Sequence, residues 1–336
     1  MTTAATLPDL DELRDRIAAA ETVVPVGGRT HWDVGGPAPI GVEVRAPAGV
    51  VAYDPAELTV TVGAGTTVAD LAATLEDGGQ ECVLDPRDPA AATVGGTLAS
   101  GLSGHRRLRY GPLRDRLLEV RFVTGDGRVV KGGGPTVKNV TGYDLPRLLV
   151  GSLGTIGVIV QVTLRCQPRP RHVTWAGTEG DPFEVRRRCF RPSCIAWDGG
   201  DTRVLLEGDP DDVAAELHAG GLTPGDRGPA WPDGPHRGRI SVRPGRLCAL
   251  ADELGGVDGL RWVAEIGVGT VHVGADRPAP LAQARQAAEA AGGWLLREQG
   301  DGIDGFGAGL PNRQLMARIK TAFDPAGKLS PGRLPV

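Results

Sequence analysis

Residues 91–165 read AATVGGTLASGLSGHRRLRYGPLRDRLLEVRFVTGDGRVVKGGGPTVKNVTGYDLPRLLVGSLGTIGVIVQVTLR. Glycines arrive in bursts, at Gly95-Gly96, Gly101, Gly104, Gly111, Gly132-Gly133-Gly134, Gly142, Gly151, Gly154 and Gly157, with apolar runs of strand or helix length between them. A glycine has no Cβ, so glycines repeated at the ends of elements let backbone N–H groups close on a ligand. Turns and bulges alone can also account for such residues. The ordered series reads as a cradle for a large phosphate-bearing cofactor.

Working outward, residues 119–131 predict a hairpin around a Gly-Asp-Gly turn, and Leu145, Leu148 and Leu149 predict a short helix. A strand runs from Val158 through Leu164. Upstream, Leu58, Val60 and Val62 alternate as a half-buried strand, and Thr66 or Thr67 caps a helix carrying Val68, Leu71, Ala72 and Leu75, which Gly78-Gly79 ends. Leu10, Leu13 and Ile17 predict an amphipathic helix over residues 8–20 with Pro8 near its start. Val23–Val26 is a short strand running into the turn Gly27-Gly28-Arg29-Thr30.

The whole chain sets bounds. Its 336 residues suffice for two domains, and a net charge of −4 points to no nucleic-acid or acidic-membrane partner. The basic cluster His105-Arg106-Arg107-Leu108-Arg109 is local: a solvated loop, or one that meets a pyrophosphate or an anionic substrate. No apolar run approaches membrane-spanning length, and the first twenty residues are acidic and amphipathic rather than a basic-then-apolar leader. Five scattered cysteines contain no Cys-x-x-Cys, so neither a zinc ribbon nor an iron–sulfur cluster is expected from this chain. Cys189 and Cys194 can pair if close in space, but reduced buried thiols are the favoured reading and a cytoplasmic location is expected, with contact to the inner face of a membrane through partners left open. No P-loop fingerprint occurs, and no Ser–His–Asp constellation is readable.

Three segments taken together, ATVGGTLASG, RYGPLRDRLLEV and KNVTGYDLPRLLVGSLGTIGVI, resemble the FAD-binding domain of the vanillyl-alcohol-oxidase/PCMH flavoprotein superfamily, and within it the subunit-E-like proteins of glycolate oxidase (glycolate dehydrogenase). The likeness covers about residues 20–168 and returns at the C-terminus. It implies an α+β fold: a PCMH-type two-subdomain FAD-binding domain over 1–168, a smaller, reduced α+β cap over 169–310, and a C-terminal helix and tail, 311–336, returning to the FAD domain.

The same resemblance implies the cofactor-binding residues. Val26, Gly27, Gly28, Arg29 and Thr30 hold the position of the pyrophosphate loop. Thr93, Val94, Gly95 and Gly96 run beside phosphate and ribose, with Gly101, Ser103 and Gly104 continuing the turn. Gly154, Thr155, Gly157 and Val158 bring main chain against the ring systems. Some relatives carry a histidine after the glycine pair, joined covalently to the flavin; here Arg29 stands there, so non-covalent FAD is expected. Departures are Leu153, where many relatives have Glu, and Ser330, where Asn is usual.

The second half is read more coarsely. Residues 177–182 and 219–245 are rich in loop formers, Arg203–Glu207, Ile240–Val242 and Leu260–Ile266 predict strands, and 280–291 a helix. Related 2-hydroxyacid dehydrogenases carry a His-x-Gly-Asp-Gly-Asn-x-His motif in this region. Only His272-Val273-Gly274 matches, the second histidine is missing, and His272 between two valines reads as a strand residue rather than a ligand. No catalytic residue is assigned and no metal site is expected. The resemblance therefore implies an FAD-binding subunit of a glycolate (2-hydroxyacid) dehydrogenase complex, working with a catalytic flavin subunit and an iron–sulfur subunit. A self-sufficient FAD oxidoreductase on another small alcohol or acid, and a structural subunit that has lost its cofactor, remain as alternatives.

Overall fold

The computed structural model describes residues 10–37, 39–135, 143–225, 227–307, 310 and 312–336. Pro8, the Lys138-Asn139 pair and Gly142 fall outside them.

The N-terminal lobe is built on a five-stranded antiparallel sheet in the order Val50–Asp54, Thr59–Gly63, Val158–Arg165, Leu117–Val123, Val129–Gly133. The 158–165 strand is central, which its composition explains: residues 158–164 are all buried, and a strand covered on both faces must be apolar throughout. Leu58 lies outside the sheet. It occupies the left-handed region at φ 54°, in the turn between the 50–54 and 59–63 strands, so the alternation expected to begin there starts one residue later. Helix Val68–Glu76 is capped by Thr67, whose hydroxyl accepts from the Asp70 N–H, and buries Val68, Leu71 and Leu75. Helix Leu10–Ala19 buries Leu13 and Ile17 against Val23, Val44, Val123, Val158 and Val160.

One element departs from the sequence reading. Thr93–Gly96 is not an open turn but the start of helix Val94–Ser100, with Thr93 accepting from the Gly96 N–H and Gly101 closing the helix in the left-handed conformation. Two adjacent glycines cost helix propensity. They are tolerated because a Cβ on Gly95 would sit 2.8 Å from the Ala64 methyl, so only glycine lets this helix approach the end of the 59–63 strand.

The C-terminal lobe carries an eight-stranded antiparallel sheet, ordered Thr223–Gly225, His172–Thr178, Thr202–Gly208, Cys194–Trp197, Leu260–Glu265, Thr270–Ala275, His236–Ser241, Trp294–Gln299. This is more regular structure than the Gly/Pro-rich composition suggests; strands 223–225 and 236–241 lie within the stretch expected to be loop. Helices Pro182–Arg188, Pro210–Gly220, Leu247–Gly255 and Pro278–Ala290 pack on one face of the sheet. The other face meets the N-terminal lobe.

The chain closes on itself. Helix Arg313–Phe323 sets Ile319 and Phe323 against the N-terminal core, with the Phe323 ring 6.1 Å from Phe122. The tail then adds to the first strand: the Val23 N–H donates to Lys328 O (2.8 Å), and the Ser330 N–H to Val23 O (2.9 Å).

Candidate functional site

A groove with about 940 Å³ of open space runs along the N-terminal lobe. One wall is the loop after strand Val23–Pro25, another the start of helix 94–100, and the third the 153–159 turn and strand, with Ser330 and Arg333 of the tail at the rim. Among the described residues, none of the backbone N–H groups of residues 27–31 has an internal acceptor, whereas Val26 donates to Val44 O and Trp32 to Arg29 O. Arg29 lies in the left-handed region at φ 57°. Successive N–H groups around such a residue form a concave nest for anionic oxygens. A left-handed non-glycine residue costs about 1–3 kcal/mol, and such strain clusters at ligand clamps.

The loop is locked from behind. A Cβ on Gly28 would lie 1.6 Å from the carbonyl oxygen of Ala91, so the Gly27-Gly28 backbone sits directly on the chain leading into helix 94–100. Arg45 donates to Gly27 O at 3.0 Å. Two guanidiniums flank the Trp32 ring, Arg29 at 4.5 Å and Arg333 at 5.0 Å from its centre. Arg333 also donates to Gly36 O and Trp32 O, which ties the tail to the loop. Both arginines line the groove beside the N–H nest, although the Arg29 guanidinium is already paired with the Glu43 carboxylate at 2.5 Å.

Of the expected residues, Val26, Gly27, Gly28, Arg29, Thr30, Thr93, Gly95, Gly96, Gly154, Gly157 and Val158 all face this groove. Val94 and Thr155 do not: both are buried, Val94 in the core and Thr155 with its hydroxyl donating to Ser152 O. Gly101 and Ser103 border a different groove, and Gly104 a second cavity. Trp32 and Arg333 line the groove without a signal in the sequence reading, and Leu153 and Ser330, the two departures from the family pattern, line it as well. Leu153 does so at φ 52°, between Gly151 and Gly154, both also left-handed.

His31 belongs to both the groove and a larger cavity, about 1600 Å³ including its mouth, between the lobes. Strand alternation decides what the second lobe sends there. Val271 and Val273 pack against the helices, as do Ile240 and Leu295, so His272, Arg239 and Glu298 point the other way. Arg239 donates to Glu298 at 2.9 Å and to Ser103 O at 2.7 Å, and Arg87 lies 3.9 Å from the same carboxylate. Burial pushes the Glu298 carboxyl up, but Arg239, His272, Arg87 and His31 outweigh it and hold the pKa down at about 2. His272 is buried, its Nε2 is 3.3 Å from Glu265, and the Trp231 ring meets it edge-on at 4.9 Å. Burial lowers the pKa of His31 and of His105, so both sit neutral in this cavity near pH 7. His272 is thus a strand residue, as its sequence context suggests, and also part of the cavity wall.

The lobes are latched by Arg106. Its guanidinium bonds Asp85 (3.0 and 2.7 Å) and Glu81 (2.9 Å) in the first lobe and Glu207 (3.1 Å) in the second. Burial alone would lower the Arg106 pKa; the three carboxylates raise it instead. Among the described residues no cluster of three His, Cys, Asp or Glu side chains has metal-binding geometry, and no helix is long and apolar enough to cross a membrane.

Comparison with known proteins bears on the groove. Residues 5–133 match the family described as "FAD binding domain". The chain is 44% identical over 131 residues to glycolate oxidase subunit GlcE of Escherichia coli, a match covering 39% of this chain and 37% of that protein. It is 37% identical over 153 residues to the mitochondrial D-lactate dehydrogenase [cytochrome] of Arabidopsis thaliana, covering 45% and 27%, and 34% identical over 121 residues to glycolate oxidase subunit GlcD of Bacillus subtilis, covering 36% and 26%. The matched part thus spans less than half of each curated relative. A solved alkyldihydroxyacetonephosphate synthase superposes with a TM-score of 0.70 over 96% of this chain and 74% of its own, at 14% identity, which speaks to the fold alone. Residues 5–133 are thus similar in sequence to FAD-binding domains, and the α+β fold of the chain is shared with the alkyldihydroxyacetonephosphate synthase.

Proposed function

We propose, from the premise that residues 5–133 are an FAD-binding domain, that this chain is the FAD-carrying subunit of a glycolate (2-hydroxyacid) dehydrogenase complex. A separate flavin subunit takes the substrate hydride, and an iron–sulfur subunit accepts the electrons. The observation that carries the reading is the unengaged run of N–H groups at residues 27–31, flanked by Arg29 and Arg333, in a groove that leads through His31 into the cavity between the lobes. When bound, the flavin supplies two-electron redox chemistry.

In this reading residues 1–168 form the FAD-binding unit, 169–310 the cap, and 311–336 return to the first unit. The 27–30 loop binds the pyrophosphate, and Arg29 and Arg333 offset its charge. Thr93, Gly95 and Gly96 admit the ribose-phosphate portion closely, and Gly154, Gly157 and Val158 present main chain to the ring systems. Binding is non-covalent, because Arg29 stands directly after the glycine pair. The complex works in the cytoplasm and reaches a membrane only through partners.

A second reading, turnover of a small hydroxyacid by this chain alone, is favoured by one observation. A buried histidine, His272, faces the same cavity as Arg87 and Arg239, where a carboxylate could be held. Visible spectra of the purified chain separate the two. A flavin spectrum that acid precipitation releases to the supernatant, and that glycolate does not bleach, supports the subunit reading. Bleaching by glycolate without any other protein makes this chain the catalyst. Protein that stays colourless after incubation with FAD refutes both.

A further inference from the structure

Behind the 100–103 turn lies a second groove, separated from the flavin groove by a wall that both share, Ser100 and Leu153. Its floor is apolar: Trp294, Leu296 and Phe306. Trp294 keeps 42% of its surface exposed although it opens a strand of the second lobe. Three arginines line the same groove, Arg107, Arg114 and Arg147. Asp115 is shared by two of them, 3.9 Å from Arg114 and 3.6 Å from Arg147, and Arg147 also reaches Asp144 at 3.5 Å. Among the described residues Arg107 has neither an ion-pair nor a hydrogen-bond partner, although it is half-buried and its pKa is lowered, first by burial. The Arg107 guanidinium is therefore left over beside an apolar floor, next to two arginines that share exposed carboxylates.

We infer that this groove is a docking site for an acidic segment of a separate protein subunit, one that places carboxylates on the arginines and a large apolar side chain on the floor. The inference deepens the reading of this chain as one subunit of an assembly and rests on it. Charge complementarity selects the occupant. Arg presents a planar fork that matches a carboxylate, and an aromatic floor beside arginines has the composition of a binding hot spot. A long polyanion is the poorer match, because it would run on over a surface whose overall charge is −4. A segment held here lies one side chain, Leu153, away from the flavin groove.

The test uses the full, flavin-loaded chain and short fluorescent peptides of three kinds: alternating Glu and Leu, all Glu, and alternating Lys and Leu. Fluorescence anisotropy should show saturable binding of the Glu–Leu peptide, weaker binding of all-Glu, and none of Lys–Leu. Affinity should fall as salt rises. Arg107→Glu and, separately, the more exposed Arg147→Glu should each weaken the Glu–Leu peptide by roughly tenfold, with flavin content unchanged as the sign of an intact fold. No saturable binding, equal binding of the Lys–Leu peptide, or unchanged affinity in both variants overturns the inference. Glycolate turnover by the isolated chain is recorded on the same preparation. Turnover together with the expected peptide binding overturns the subunit reading and leaves the groove standing.

Discussion

Arg106→Met is the substitution with the largest consequence that the structure lets one work out. The methionine keeps most of the stem's volume and removes the guanidinium, leaving Glu81, Asp85 and Glu207 facing one another with side chains only 19%, 12% and 2% exposed. Removing one partner of a buried ionic cluster costs about 3–5 kcal/mol, because the remaining charges stay buried without compensation. Glu81 and Asp85 keep some access to water, so the low end, about 3 kcal/mol, is expected. Guanidinium chloride unfolding at neutral pH measures the loss, and a double-mutant cycle with Glu207→Gln tests its origin. Glu207→Gln alone should destabilise, since it weakens the contact to Arg106 and leaves Ser193, which donates to the same carboxylate, with a poorer acceptor. In the Arg106→Met background the same change should cost little or restore stability, because it removes one of three crowded charges. A loss under about 1 kcal/mol, or strictly additive effects, would refute the latch.

Gly28→Ala should abolish flavin retention without unfolding the chain, because the new methyl meets the Ala91 carbonyl and the phosphate loop must lift; flavin absorbance per chain beside the circular dichroism spectrum reads this out. Arg333→Gln should raise the FAD dissociation constant by roughly tenfold and flatten its salt dependence, measured by quenching of flavin fluorescence on binding. Glu298 sets an acid limit. Its folded pKa of about 2 lies below the ordinary 4.5, so its contribution is complete above pH 4.5 and is lost as pH falls toward 2. At 1.36 kcal/mol per tenfold that is about 3 kcal/mol, and Glu298→Gln should remove this part of the acid destabilisation seen in denaturant titrations at pH 5 and pH 3.

The groove of the first lobe is legible in the sequence because backbone builds most of it, and backbone that must approach closely or turn left-handed writes itself as glycine. Gly27-Gly28, Gly95-Gly96, Gly154 and Gly157 all line the groove. Where side chains build the site the signal faded. Trp32 and Arg333 are some three hundred residues apart and meet through the tail's return, for which no local pattern exists. His272, Arg239 and Glu298 carry a weak signal: each breaks an apolar alternation, His272 between Val271 and Val273, Arg239 before Ile240, Glu298 after Leu295-Leu296. A polar residue on the inward phase of a strand faces something that is not core, but the sequence does not say which lobe supplies it. Gly101 and Ser103 follow the glycine pair closely in sequence, but the left-handed turn at Gly101 sends the chain to the other groove.

The return of the tail to Val23 also sets a timetable. Residues 23–165 supply the sheet, the 27–31 loop and Val42–Val44, the parallel partner of the first strand, yet the tail that also pairs with Val23 and the second arginine of the groove come from Lys328–Arg333. About 160 residues separate these two contributions. At ordinary ribosome speeds of about 5–20 residues per second, the first lobe waits on the order of ten to thirty seconds with the edge of its opening strand unpaired. Completion of the groove is then a late event in biosynthesis, and a nascent chain stalled anywhere in the second lobe still lacks Ser330 and Arg333 at its rim.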